Sequence, residues 1–181
     1  FIPEQLKLKP VPVFNRKSKS VPVNIAHSKR YDLWFQQDKL FNVPKASIMV
    51  YARSPFLSAT ARDAVKAELF VRLLNDHLNP MLYSASQAGL DFVITKRSRG
   101  IAFQLTGFSD KQGLLLKSVL ETFRSPVFSE ARFQLIKAQY TRELINAAKQ
   151  TPYQQLMQDV PVVLVHGYWN RERTLQELSS I

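Results

Sequence analysis

The sequence predicts an α+β domain, an antiparallel β-sheet with helices packed on one face. Three observations carry this. Two strand-like stretches lie between residues 31 and 53, ahead of the first helical pattern. Residues 91–106 read as two further strands around a short basic turn, and strands joined by a hairpin run antiparallel. Helical patterns then follow one another from Ser109 onward, so those helices must cover one face of the sheet or each other.

The elements follow in chain order. Residues 1–29 hold four of the ten prolines (Pro3, Pro10, Pro12, Pro22) and no helical period, so residues 1–30 are expected to be an extended lead-in or linker. Residues 31–181 are expected to form a single domain. Tyr31, Leu33 and Phe35 alternate with Asp32, Trp34 and Gln36 as in a strand. Asn42-Val43-Pro44 breaks the chain. Ala46–Arg53 is β-rich and apolar on both faces, which predicts a central, deeply placed strand.

Thr60 and Asp63 then suit the first turn of a helix, each able to satisfy a free backbone N–H. Its core stripe runs through Ala61, Val65, Leu69, Leu73 and Leu78, widened by Phe70 and Leu74. Pro80 is expected to end or kink this helix, with a short second piece over 81–87 capped at Ala88-Gly89. The strands 91–95 and 101–106 flank Lys96-Arg97-Ser98-Arg99-Gly100, where Gly100 suits a positive φ. Ser109 and Gln112 resemble a capping box before the stripe Leu115, Val119, Phe123. Ser129 opens what the sequence predicts as the longest helix, with Phe133, Ile136, Tyr140, Leu144 and Ala147 on one face. Thr151-Pro152 starts the next helix and Gly167 closes it; Asn170 opens a last one through Leu178.

Composition narrows function. The chain has 181 residues, 45% of them apolar, and no Cys, which excludes disordered, collagen-like and disulfide-scaffold classes. No apolar run approaches the roughly 20 residues of a membrane span, and no membrane partner is expected. The opening FIPEQLKLKP lacks signal-peptide features and a start Met, so a piece of a longer polypeptide is expected. The net charge of +11 favours anionic partners. More than half of it sits in residues 1–30, where seven cations face Glu4 alone for a net of +6.

Motifs for chemistry are missing. No phosphate-loop or dinucleotide glycine spacing occurs, no Gly-x-Ser-x-Gly elbow, and no thiol nucleophile. His27, His77 and His166 are each isolated, which gives no metal ligand set. His77 is read as a helix C-terminal residue, His166 as packed or capping, and His27 as solvated. Glu68, Glu121, Glu143 and Asp159 fall on separate elements, and spacing pairs none of them. No catalytic residue and no metal site is assigned. Lys96, Arg97 and Arg99 remain as a cationic hairpin tip able to face a substrate or partner. Such a tip also suits phosphates, so a basic nucleic-acid-binding module is the alternative reading. It is the less favoured one, because most aromatics fall on periodic core faces rather than beside the basic residues.

Two segments carry a resemblance. LWFQQDKLFNVPKASIMVYARSPF (33–56) and LNPMLYSASQAGLDFVITKRSRGIAFQLTGFSDKQGLLLKSVLETF (78–123) resemble the middle domain of the insulinase/pitrilysin family of zinc peptidases. The traits are Leu33-Trp34-Phe35 followed by Asp38, Phe41 and Pro44-Lys45-Ala46, then Ser54-Pro55-Phe56 before the long helix. Ala88-Gly89-Leu90 and Gly107-Phe108-Ser109-Asp110-Lys111-Gln112 continue the match, and the FIP opening resembles the family's entry into this domain. The resemblance implies the repeated α+β fold of insulinase-like and mitochondrial-processing-peptidase-like metallohydrolases. It implies a non-catalytic third domain in the substrate-enclosing C-terminal half of a zinc metalloendopeptidase. Zinc is then expected on an inverted His-x-x-Glu-His motif in another domain of the parent, and no cofactor in this segment. The implied partners are the N-terminal catalytic half, the fourth domain and a peptide substrate. Bacterial periplasm or cytoplasm is implied as compartment, with periplasm favoured.

Overall fold

A computed structural model describes Glu4, residues 21–38 and residues 43–181. The expectations for most of the lead-in, for Phe41 and for Asn42 lie outside the described residues. Strands β1 (Val23–His27) and β2 (Asp32–Phe35) form one antiparallel pair, with Val23 opposite Phe35 and His27 opposite Asp32. β1 falls inside the stretch read as a lead-in. β3 (Lys45–Arg53), β4 (Leu90–Arg97) and β5 (Gly100–Phe108) form a second sheet in the order β3-β5-β4, antiparallel throughout. The helices are α1 (Ala61–Gln87), α2 (Gln112–Arg124), α3 (Glu130–Ala147), α4 (Pro152–Leu164) and α5 (Arg171–Ser179).

β5 is the central strand, and this corrects the expectation for residues 46–53. β5 sends Ile101, Phe103 and Leu105 into the core, where Leu90 and Ile94 of β4 join them. Val71, Leu74, Leu78 and Ala85 of α1 and Leu115 and Val119 of α2 close over them. Burying each such aliphatic or aromatic side chain stabilises by about 1.5–3 kcal/mol. β3 lies at an edge of this sheet among the described residues. Its Ile48 and Val50 lean on the core, whereas Met49 is 68% exposed on the opposite face. The apolar pattern on both faces of β3 thus does not come from cover on both sides.

α1 is the longest helix at 27 residues, and it runs through Pro80. Thr60 caps its start, its Oγ1 accepting from the Asp63 N–H at 3.1 Å. A proline removes one backbone donor, but Leu78 and Ala85 are buried on either side of it and hold the helix in place. Length follows from packing on two sides. One stripe of α1 meets the sheet, and a second, Val65, Leu69 and Leu73, packs with Ile136 of α3 and Leu178 of α5. Asn75 ties the helix to the sheet, its Nδ2 donating to the Ile94 carbonyl at 3.1 Å. Phe70, Phe123 and Phe103 stack edge to face, at 5.6 Å and 5.2 Å between centroids.

Two local expectations change. Ser109 does not cap α2; its Oγ donates to the Pro44 carbonyl, and the N-cap residue Lys111 makes no side-chain cap bond. Gln112 is instead fully buried, its Nε2 donating to the carbonyls of Ala46 (2.8 Å) and Gly107 (3.0 Å). One amide therefore fastens α2 to both β3 and β5. Gly100 has no positive φ. Its small size is required by close approach: a Cβ there would stand 2.2 Å from the Ala52 carbonyl oxygen and 2.9 Å from the Tyr51 ring.

Gly100→Ala is accordingly expected to push β3 away from β5 and to destabilise the protein by about 1–3 kcal/mol. Thermal unfolding checks this, and an unchanged Tm would show that β3 pairing tolerates the displacement.

Candidate functional site

The hairpin tip is the place to test the sequence-derived candidates. Arg97 pairs with Gly100 across β4 and β5, leaving Ser98 and Arg99 as the turn. The turn is tied down. The Ser54 N–H donates to the Arg99 carbonyl at 3.0 Å, and the buried Ser58 Oγ donates to the Ser98 carbonyl. Both tethers come from the segment just before α1, whose 3₁₀ turn Pro55–Ser58 follows β3 directly.

The three cations do not form one patch. Alternation along β4 points Lys96 to the helix-covered side, half-buried, where desolvation lowers its pKa against the opposing pull of Glu68. Arg97 points to the uncovered side and is exposed, and Arg99 is exposed on the turn. The uncovered face supplies a cation that sequence reading missed. Arg53 pairs with Gly100 from β3, so Arg53, Gly100 and Arg97 lie in one row across three strands. Only the register of β3 against β5 reveals this, since Arg53 and Arg97 are far apart in sequence.

A second ionic group sits between α1 and α3. Arg72 donates from Nε to Glu68 Oε1 and from an Nη to Glu143 Oε2, each at 2.7 Å. Its guanidinium carbon lies 4.2 Å from the centre of the Tyr140 ring. Glu68 and Glu143, which spacing did not pair, thus meet through an arginine. They form a clamp between helices, since both carboxylates are engaged by that guanidinium. Burial pushes the Tyr140 phenol up to about 12, with Glu68 and Glu143 adding to the rise and Arg72 opposing it.

A cleft of about 360 Å³ opens beside this clamp, lined by Leu73, Asp76, His77, Val127, Phe128 and Arg132, among others. Arg132 Nε donates to Asp76 at 2.9 Å, so the carboxylate and guanidinium satisfy each other. His77 lies well inside α1 rather than at its C-terminus, its ring 6.1 Å from that of Phe128. His166 is exposed, not packed. His27 is paired: its Nδ1 lies 2.5 Å from Asp32 Oδ1, and this hydrogen bond is the main reason the Asp32 pKa is lowered. Among the described residues no three of His, Asp and Glu converge as a metal site.

Exposed apolar surface is the remaining feature. α4 contributes no buried residue, and Val163 and Leu164 are 83% and 76% exposed. Trp34 and Phe35 stand out from β2, half or more exposed, and Tyr31, Phe56, Tyr83 and Tyr153 are likewise exposed, which corrects the expectation that most aromatics occupy core faces.

With this geometry in view, the comparisons with known proteins agree on one class. Residues 1–177 match the family described as the middle or third domain of peptidase_M16, and the chain belongs to that family. Over its whole length it is 29% identical to insulin-degrading enzyme of Homo sapiens, of which it spans 18%. It is 30% identical, again over its whole length and 18% of the relative, to insulin-degrading enzyme-like 1, peroxisomal, of Arabidopsis thaliana. The crystal structure of pitrilysin superposes on 99% of the chain with a TM-score of 0.87 at 22% identity, covering 19% of that protein. The chain therefore has the length of less than a fifth of the relatives it matches.

The Tyr140 phenol gives a pH prediction. A raised folded-state pKa means the fold favours the protonated phenol. Its stabilisation is complete below the unfolded value near 10 and is lost as pH rises toward 12. Ultraviolet titration is expected to show one of the six tyrosines ionising about two pH units late, and Tyr140→Phe should remove that late step.

Proposed function

We propose that this chain is a non-catalytic wall of a longer zinc metalloendopeptidase, its uncovered sheet face turned to the peptide and its bare helix α4 seated on a neighbouring domain. The observation that carries the reading is the division of surfaces. Helices close one side of the β3-β5-β4 sheet, while the other side keeps Met49 and Val93 more than half exposed. α4 displays apolar residues with a single charge, Asp159, along thirteen positions. Exposed apolar area of this kind marks a surface made for another partner. In a chain spanning 18% of its relatives, the rest of the same polypeptide is the nearest candidate.

Within this proposal the hydrolytic zinc and its ligands belong to the N-terminal half of the parent. The present domain closes the chamber and keeps the halves in register with the fourth domain. The surplus cations line the peptide-facing side, with Arg97 and Arg99 in place of the three-residue tip. Periplasm or cytoplasm remains the proposed compartment of the parent, the periplasmic preference resting on family resemblance. Among the described residues no helix is long and apolar enough to cross a membrane.

Charge reversal tests the chamber. In the full-length parent, Arg97→Glu with Arg99→Glu is expected to change kcat/KM for peptide cleavage severalfold at low salt, the difference shrinking as salt screens the charges. Identical kinetics at every ionic strength would remove the idea. The seat of α4 is tested separately. Val163→Asp with Leu164→Asp should weaken association of this domain with the separately expressed N-terminal half or fourth domain, measured by calorimetry. Equal affinity would free α4 from that role.

A further inference from the structure

The uncovered sheet face is not uniform, and its polarity runs along the strands. At the turn end stand Arg53 and Arg97, one on each side of Gly100. The next row is Tyr51, Ala102 and Thr95, and the one after it Met49, Gln104 and Val93. Ser47, Thr106 and Asp91 follow, and beyond them Lys45 pairs with Phe108. The face therefore passes from two cations, through apolar and neutral rows, to a carboxylate and a single far cation, Lys45.

The cationic end is shaped as a notch. Neighbouring strands are about 4.8 Å apart, so the two arginine backbones stand about 10 Å from each other with no side chain between them. Tyr51 leans over that gap, close enough that a Cβ on Gly100 would meet its ring at 2.9 Å. The Arg53 guanidinium carbon lies 5.8 Å from the same ring centre. Two long guanidinium side chains thus flank an aromatic floor. The backbone beneath is pinned through Ser54 and Ser58 to the adjoining turn.

We propose that this notch binds a carboxylate of an extended peptide, an Asp or Glu side chain whose apolar neighbour lies on Tyr51, Met49 and Val93. Guanidinium groups match a carboxylate with paired, charge-assisted hydrogen bonds. A phosphate backbone would need cations continuing along the face, and here two uncharged rows separate the arginine pair from Asp91 and the lone Lys45 at the far end. Asp32 of the β1–β2 pair is the acidic group near Arg53, which adds to the lowering of its pKa, while the bond to its carboxylate comes from His27. The inference rests on the reading of this face as peptide-facing, and it adds a substrate preference: peptides with an acidic residue beside an apolar one.

The test uses the full-length protein that carries this chain and two hydrolysis-resistant, tetramethylrhodamine-labelled peptides, identical except for Glu or Gln beside a Leu. Fluorescence anisotropy is expected to show the Glu peptide binding about tenfold tighter at low salt. Arg53→Gln with Arg97→Gln should abolish that preference, weakening the Glu peptide about tenfold more than the Gln peptide. A photoreactive residue in place of Met49 reads the underlying surface, and it should capture both peptides. Capture with an undiminished Glu preference in the arginine variant overturns this inference alone. Absence of capture removes the peptide-facing reading and the inference with it. Arginine-dependent binding of a labelled oligonucleotide in preference to either peptide overturns the carboxylate assignment in favour of phosphate.

Discussion

The structure depends on β5 more than on any other element. Both neighbouring strands pair with it, and its alternation decides which face of the sheet becomes core. Ile101, Phe103 and Leu105 point one way and draw α1 and α2 over them; Ala102, Gln104 and Thr106 point the other way and draw nothing. A strand of period two cannot be slipped by one residue without exchanging those two sets, so register and one-sidedness are the same constraint. Gln112 enforces it from outside the strand. Its buried amide has two carbonyl partners, one on each of β3 and β5, and a shift of either strand would leave a polar group buried without a bond.

That constraint explains why α1 has to be so long. It covers the sheet with one stripe and carries α3 and α5 on another, and each duty needs several turns. The Arg72 clamp lies where the second duty is performed. Its arginine joins Glu68 on the same helix to Glu143 on α3, with the Tyr140 ring beneath. Lys96 approaches from the sheet side with Glu68 as its opposing charge. Arg72, Glu68 and Glu143 thus hold two helices together, and Lys96 joins them from the sheet.

Legibility in the sequence followed the range of the interactions. Local signals were readable: the Thr60 and Asn170 caps, the Gly89 terminus with its φ of 78°, and the apolar stripes of α1, α2 and α3. The hairpin was readable too, because its two strands are adjacent in the chain. Errors arose where distant partners decide. Residues 46–53 looked central by composition, but their place depends on β5, fifty residues later. Pro80 looked like an end or kink of the helix, and it does not end it, because a proline's local preference says nothing of the core that holds both flanks. Gly100 looked like a turn residue, whereas its constraint is the Ala52 carbonyl on another strand. The candidate site suffered in the same way. Lys96 and Arg97 are adjacent in sequence yet point to opposite faces of the sheet, and Arg53, the natural companion of Arg97, comes from the opposite edge of the sheet.

A domain with a covered face and a bare face has finished only part of its folding problem. The hydrophobic gain from its core comes from the covered faces of β3, β4 and β5 and from α1, α2, α3 and α5, so nothing internal requires Met49, Val93, Val163 or Leu164 to be apolar. On an independent surface such residues promote association without contributing to stability. Apolar side chains at those positions are what the proposed contacts with other parts of a longer polypeptide and its ligand would use. The arginine pair fits the same logic. Two like charges across a glycine gain nothing from each other; Asp32 offsets Arg53 in part, and the anion proposed for the notch would offset both.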